Sequence, residues 1–170
     1  MTSAEILVDG FMRVQEEVHA AVEGLSLEEL TFRVDEEANS ISWVIWHLTR
    51  VQDDHVADAF GLEQVWLRDG WQERFGLPFS PDAHGYGQSS NDVAEVRADK
   101  DILTGYYDAV HAQTIQQVEK LTDADLPRVV DQNWTPPVTL AVRLVSVISD
   151  DLQHVGQAAF VRGVVLRRRG

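Results

Sequence analysis

Asp150 and His154 stand four residues apart in Ser149-Asp150-Asp151-Leu152-Gln153-His154-Val155-Gly156-Gln157, a stretch of helical character. Side chains at that spacing stack on one helical face, so a carboxylate and an imidazole could grip one cation together. His47, far upstream in Trp43-Val44-Ile45-Trp46-His47-Leu48, is the best candidate for a third donor. Two histidines and one carboxylate leave open positions on a metal, the arrangement of a catalytic rather than a purely structural site. The same Asp-x-x-x-His spacing also describes a surface ion pair, and a lone histidine beside an apolar stripe also describes a hydrogen-bonded core residue. Context raises the metal reading, because Asp150 follows Val145-Ser146-Val147-Ile148. A carboxylate there is costly to bury unless a cation or hydrogen bonds compensate.

Other polar groups rank around this trio. Asp54 lies seven residues after His47, about two turns along the same face, too far to chelate the same ion but placed for a supporting or substrate-directed role. It is one catalytic candidate; Gln157, one turn beyond His154, is the other, and could equally be a packing amide. His55 is rotated off the His47 face and ranks below it as a ligand. Asp53 is expected to be solvated, and His19, His84 and His111 to be structural or exposed. Arg50 and Arg162 could clamp a carboxylate of a bound molecule, or pair with acidic neighbours at the surface. Gly156 inside a helix costs about 1 kcal/mol relative to Ala, which points to close approach of another helix or a ligand. Trp43, Trp46, Trp66 and Trp71 could wall a pocket or fill a core.

These residues need elements to hold them. Leu7, Phe11, Val14, Val18, Ala21 and Leu25 recur at steps of three and four, one face of an amphipathic helix, and Gly24 suits its end. Ser26 and Glu29 have capping-box spacing for a short helical turn. Ser40 to Phe60 repeats the pattern and carries His47, with Gly61 at its end. From Gly61 to Ser90 the periodicity fails, and Gly70, Gly76, Pro78, Pro81, Gly85 and Gly87 mark a long irregular crossover anchored by Trp66, Trp71 and Phe75. A third helical region runs from Ser90 to Leu121 with a break near Asp99. A fourth starts after Pro136-Pro137 and places Leu140, Leu144, Val147, Asp151, Val155 and Ala158 on one face. Four long helices, with short first and third connections and a long second one, predict an all-α four-helix bundle with a crossover between its second and third helices.

Composition sets the outer limits. A chain of 170 residues with 44% hydrophobic content is long enough for one domain, 1–170, with a sizeable core. The formal charge of -14 argues against a nucleic-acid partner, which would require clustered Lys and Arg. Arg167, Arg168 and Arg169 form the only basic cluster and complement the negative end of a helix. Without cysteine there is no disulfide, no thiolate ligand and no protein thiol nucleophile, so any thiol chemistry must use an exogenous thiol. No apolar run approaches a membrane span and no leader pattern opens the chain, so a soluble cytoplasmic protein is expected.

Trp43-Val44-Ile45-Trp46-His47-Leu48, the Tyr106-Tyr107-Asp108 region, and Thr139-Leu140 leading to Asp150-x-x-x-His154-x-Gly156-Gln157 and Arg162-Gly163 resemble the DinB-like superfamily. In particular they are similar to the branch related to mycothiol-dependent enzymes. The resemblance implies an up-down-down-up bundle, often dimeric, holding a divalent metal on three histidines. His47 and His154 match that set, whereas Asp150 stands where histidine is more frequent. A harder, anionic ligand lowers the net charge of the centre and could shift preference from zinc or nickel toward iron or manganese, or mark a degenerate site. The function so implied is a thiol S-transferase or isomerase that uses mycothiol or another low-molecular-weight thiol on a small electrophile. The alternatives are a metal-dependent hydrolase and a non-catalytic bundle that binds a small ligand or dimerises.

Overall fold

The computed structural model describes residues 1–169. The chain is mostly helical: α1 (Ser3–Val22), α2 (Leu27–Leu30), α3 (Ile41–Phe60), α4 (Val65–Arg68), α5 (Trp71–Phe75), α6 (Ser90–Glu95), α7 (Lys100–Val118) and α8 (Leu140–Arg167), with a two-stranded antiparallel sheet of β1 (Val129–Asp131) and β2 (Val138–Thr139) before α8. Local chemistry sets the helix limits. Thr2 with Glu5, Ser26 with Glu29 and Ser89 with Asp92 form capping boxes, in which each satisfies amides that the first turn leaves free. Ser40, Asp99 and Thr139 cap α3, α7 and α8 with their side-chain oxygens. Gly61 ends α3 at φ 65°, a left-handed conformation that glycine adopts without steric cost.

The four long helices bury apolar stripes against one another; α3 packs on α7 and α8, and α1 packs on the same two. The larger core cluster gathers Val14, Val18, Trp43, Trp46, Trp66, Tyr106, Val155 and Ala158, and a second collects Phe11, Val118, Leu140, Leu144 and Val147 at the opposite end. Polar bridges fix the lengthwise alignment. Ser42 Oγ accepts from the Ala98 amide at 2.9 Å, and Gln52 Nε2 donates to Thr114 Oγ1 at 2.8 Å, both between α3 and the α7 region.

The short helical turn expected at Ser26 and Glu29 is α2, between α1 and α3, whereas the β1–β2 hairpin between α7 and α8 was not expected. The crossover is irregular, as its glycines and prolines require, yet it contains α4 and α5 and puts Trp66 in the core. Asp53 is the correction that matters most here. Expected at the surface, it is 1% exposed. Its Oδ1 accepts from the Val65 amide at 2.9 Å, while Oδ2 accepts from the Trp66 amide and the Tyr106 hydroxyl, each at 2.8 Å. Burial pushes this carboxyl up, and the three donors and Arg50 offset only part of that rise. The result is a polar rivet that fastens the start of α4 to α3 and α7.

Candidate metal centre

His47 sits in the second turn of α3 and is 7% exposed. Trp43, one turn earlier, stacks on its ring at 4.7 Å with 14° between the planes. Its Nδ1 bonds the carbonyl of His84 on the crossover. A carbonyl can only accept, so Nδ1 carries the proton and Nε2 is left with a free lone pair. The crossover comes this near because residue 85 is glycine. It has φ 99°, and a Cβ there would lie 2.6 Å from His47 Nδ1 and 3.0 Å from the Trp43 ring.

Across the gap, α8 presents Asp150 and His154 on one face. His154 Nδ1 is 2.8 Å from the Asp150 carbonyl and 3.3 Å from Asp150 Oδ2. With that proton committed to the carbonyl, Oδ2 is buried and makes no well-formed hydrogen bond. The rings of His47 and His154 meet at 4.6 Å with their planes 68° apart. One donor atom from each of His47, Asp150 and His154 lies within 4.8 Å of the others, so the three could hold one ion. Their electrostatics fit that use. Burial pushes the His47 imidazole down and keeps it neutral. The Asp150 carboxylate, 3.3 Å from Nδ1, pushes the His154 imidazole up. Burial would raise the Asp150 carboxyl, but its contact with His154 and the neighbouring imidazoles outweigh that and hold it low. An anionic oxygen without a partner, facing two imidazoles with their other nitrogens tied to carbonyls, is a donor set suited to a divalent cation.

A cleft of about 170 Å³ opens beside these groups and is lined also by Asp54, His55, His84 and Tyr86. Asp54 therefore reaches the same space as His47 and Asp150, with Oδ1 accepting from Gln64 Nε2 at 2.8 Å. Gln157 does not: it lines a separate groove with Asn39, Gly156 and Phe160. A Cβ on Gly156 would meet nothing within 4 Å, so no helix approaches it closely.

The two arginines are engaged elsewhere. Arg50 is fully buried and donates to Gln64 Oε1 at 2.9 Å, the Ala83 carbonyl at 3.0 Å and Tyr106 Oη at 3.3 Å, beside Asp53 at 3.8 Å. It braces the crossover and has no free face for a bound molecule. Arg162 donates to the Glu23 carbonyl at 2.6 Å at the end of α1 and has the same kind of structural task. His84, expected to be structural or exposed, contributes the carbonyl that orients His47. A backbone acceptor leaves no residue-type signal, and in the sequence Gly85 only marks the irregular crossover. Asp151, next to Asp150, points into the core with neither carboxylate oxygen partnered. Burial pushes its carboxyl well up.

Comparison with known proteins follows the same outline. A model of the DinB superfamily matches residues 11–158. The chain is similar to a solved structure described as a conserved protein of locus from Enterococcus faecalis, with 29% identity over 98% of each chain and a TM-score of 0.90. No curated protein matches.

Proposed function

We propose, from the premise that this chain belongs to the DinB superfamily, that it is a divalent-metal-dependent enzyme that joins a low-molecular-weight thiol to a small electrophile, as an S-transferase or isomerase. The supporting observation is that one donor atom each of His47, Asp150 and His154 lies within 4.8 Å of the others, with both imidazole Nδ1 atoms engaged by carbonyls and Asp150 Oδ2 held only by its ion pair with His154 at 3.3 Å. His47, Asp150 and His154 would hold zinc, nickel, iron or manganese. A cation held there lowers the pKa of a thiol brought to it and so supplies a nucleophile near neutral pH.

The chain's own groups do the rest. Burial keeps His47 neutral, and Trp43 and the His84 carbonyl fix its rotation, so it would enter the site without reorganisation. Asp54, at the cleft, is placed to take the proton that the thiol gives up. The cleft is small enough to admit a sulfhydryl and the reacting end of an electrophile while the rest of either molecule stays outside, so mycothiol or a comparable thiol could serve. The chain has no cysteine, so the thiol comes from solution.

The four long helices are read as one up-down-down-up bundle in a single domain, 1–170. Support comes from paired contacts. Ser42 meets Ala98 and Gln52 meets Thr114, so α3 and α7 run together. His47 meets His154 while His55 meets Arg143, so α3 and α8 are opposed. Gly10 approaches Ile148 and Arg162 bonds Ala21, so α1 and α8 run together. A cytoplasmic homodimer belongs to the same proposal, with the exposed Val145, Leu152 and Phe160 of α8 as its support.

The test is consumption of chlorodinitrobenzene by protein reconstituted separately with zinc, nickel, iron and manganese. The expected reaction requires both a metal and an added thiol and falls to background in His154→Ala. Hydrolysis of an ester that proceeds without thiol would replace this reading with a hydrolase. Inactivity with every metal would leave a ligand-binding bundle.

A further inference from the structure

Arg143 precedes Asp150 by two turns of α8 and is 8% exposed. Its Nη1 lies 2.9 Å from His55 Nδ1 and 3.4 Å from Asp58 Oδ2, and its Nη2 lies 3.3 Å from Asp131 Oδ2 on β1. A guanidinium has only donors, so in this contact the imidazole nitrogen must accept. An imidazole that accepts at Nδ1 is neutral and carries its proton on Nε2. His55 lines the same cleft as His47 and Asp150, on the opposite tautomer from His47. The Arg143 contact occupies Nδ1 and leaves the Nε2–H for whatever enters the cleft.

We propose that His55 donates its Nε2–H to an oxygen acceptor of the substrate, and that Arg143 is the positioning residue that sets this tautomer. The placement of the substrate rests on the metal reading of the cleft. The other groups facing His55 are Asp54, with Oδ2 at 3.8 Å from Nδ1, Asp58 on the same helix, and His84 and Asp150 across the cleft. The cleft offers the carboxylates of Asp54 and Asp150, and no Arg or Lys lines it. With a divalent cation on His47, Asp150 and His154, its two charges balance those of Asp54 and Asp150, so the cleft suits a neutral carbonyl compound. His55 would hold the carbonyl oxygen by a neutral donor that undergoes no change of charge, as oxyanion-stabilising groups do elsewhere.

Two measurements test this. Histidine-nitrogen NMR correlation spectra, with His55 assigned by its loss in His55→Phe, are expected to show His55 as the Nε2–H tautomer in metal-free protein. In Arg143→Met that single tautomer should give way to a mixture. Binding of acetamide, a neutral carbonyl probe, to zinc-loaded protein is expected to weaken roughly 3- to 10-fold in His55→Phe, the loss of one hydrogen bond, with zinc stoichiometry unchanged. An Nδ1–H tautomer or a cationic His55 in the wild type overturns the proposal, as does equal affinity in His55→Phe. Wild-type protein that takes up no zinc contradicts the metal reading alone; the tautomer in metal-free protein then decides the present proposal.

Discussion

His154 and His47 approach the candidate metal site from opposite directions of proton affinity. The Asp150 bond raises the His154 pKa above its ordinary 6.5, and burial lowers that of His47. A ligand nitrogen must be free of its proton to coordinate, so the competing proton in metal-free protein is the one on His154. Its folded-state pKa is raised, so the proton is held at higher pH than in an ordinary histidine and must be released on metal binding. Zinc affinity should therefore fall as pH is lowered, beginning above about pH 6.5. Calorimetric titration at several pH values, in buffers of different ionisation enthalpy, should find proton release on binding near neutrality. In Asp150→Asn the raising partner is gone, and the fall should move to lower pH while the affinity at high pH also drops. A pH-independent affinity across the neutral range would contradict the coupling of His154 to Asp150.

The elements matter through how they are fastened, and the crossover carries the clearest case. It delivers the His84 carbonyl to His47, and it is held by Asp53 on α3, whose carboxylate receives two amides of α4 and the Tyr106 hydroxyl beside the buried Arg50. Removing the carboxylate leaves a buried guanidinium without its counter-charge, a change that costs about 3–5 kcal/mol. Asp53→Ala is thus expected to lower unfolding free energy by about 3 kcal/mol or more in denaturant titration, whereas Asp82→Ala in the exposed part of the crossover should stay within about 0.5 kcal/mol. A loss below about 1 kcal/mol for Asp53→Ala would show that the rivet is unimportant. The helices were legible in the sequence because their stripes repeat every three or four residues and because Ser26, Ser40, Asp99 and Gly61 stand where caps belong. Asp53 was not, since its partners are backbone amides 12 and 13 residues away, which no periodicity reports. The β1–β2 hairpin was missed for a similar reason: strands of three and two residues are too short to show alternation.

At the scale of the whole molecule, the site lies where α3 and α8 face each other, and its three candidate ligands come from only two sequence neighbourhoods, around residue 47 and residues 150–154. That is why the trio could be read from spacing, given two long helices able to pack together, whereas the groups that orient it could not. The His84 carbonyl that holds His47 is a backbone group, and the contact it makes depends on the folded chain. A formal charge of -14 sets the surroundings, since it favours capture of a cation by a pocket of donors. The central claim is that these donors hold a metal. Elemental analysis of protein purified without chelators, wild type beside His47→Ala, tests it most directly. The account predicts about one equivalent of a divalent transition metal in the wild type and its loss in the variant. Absence of metal from the wild type, even after reconstitution with zinc, nickel, iron and manganese, would contradict it.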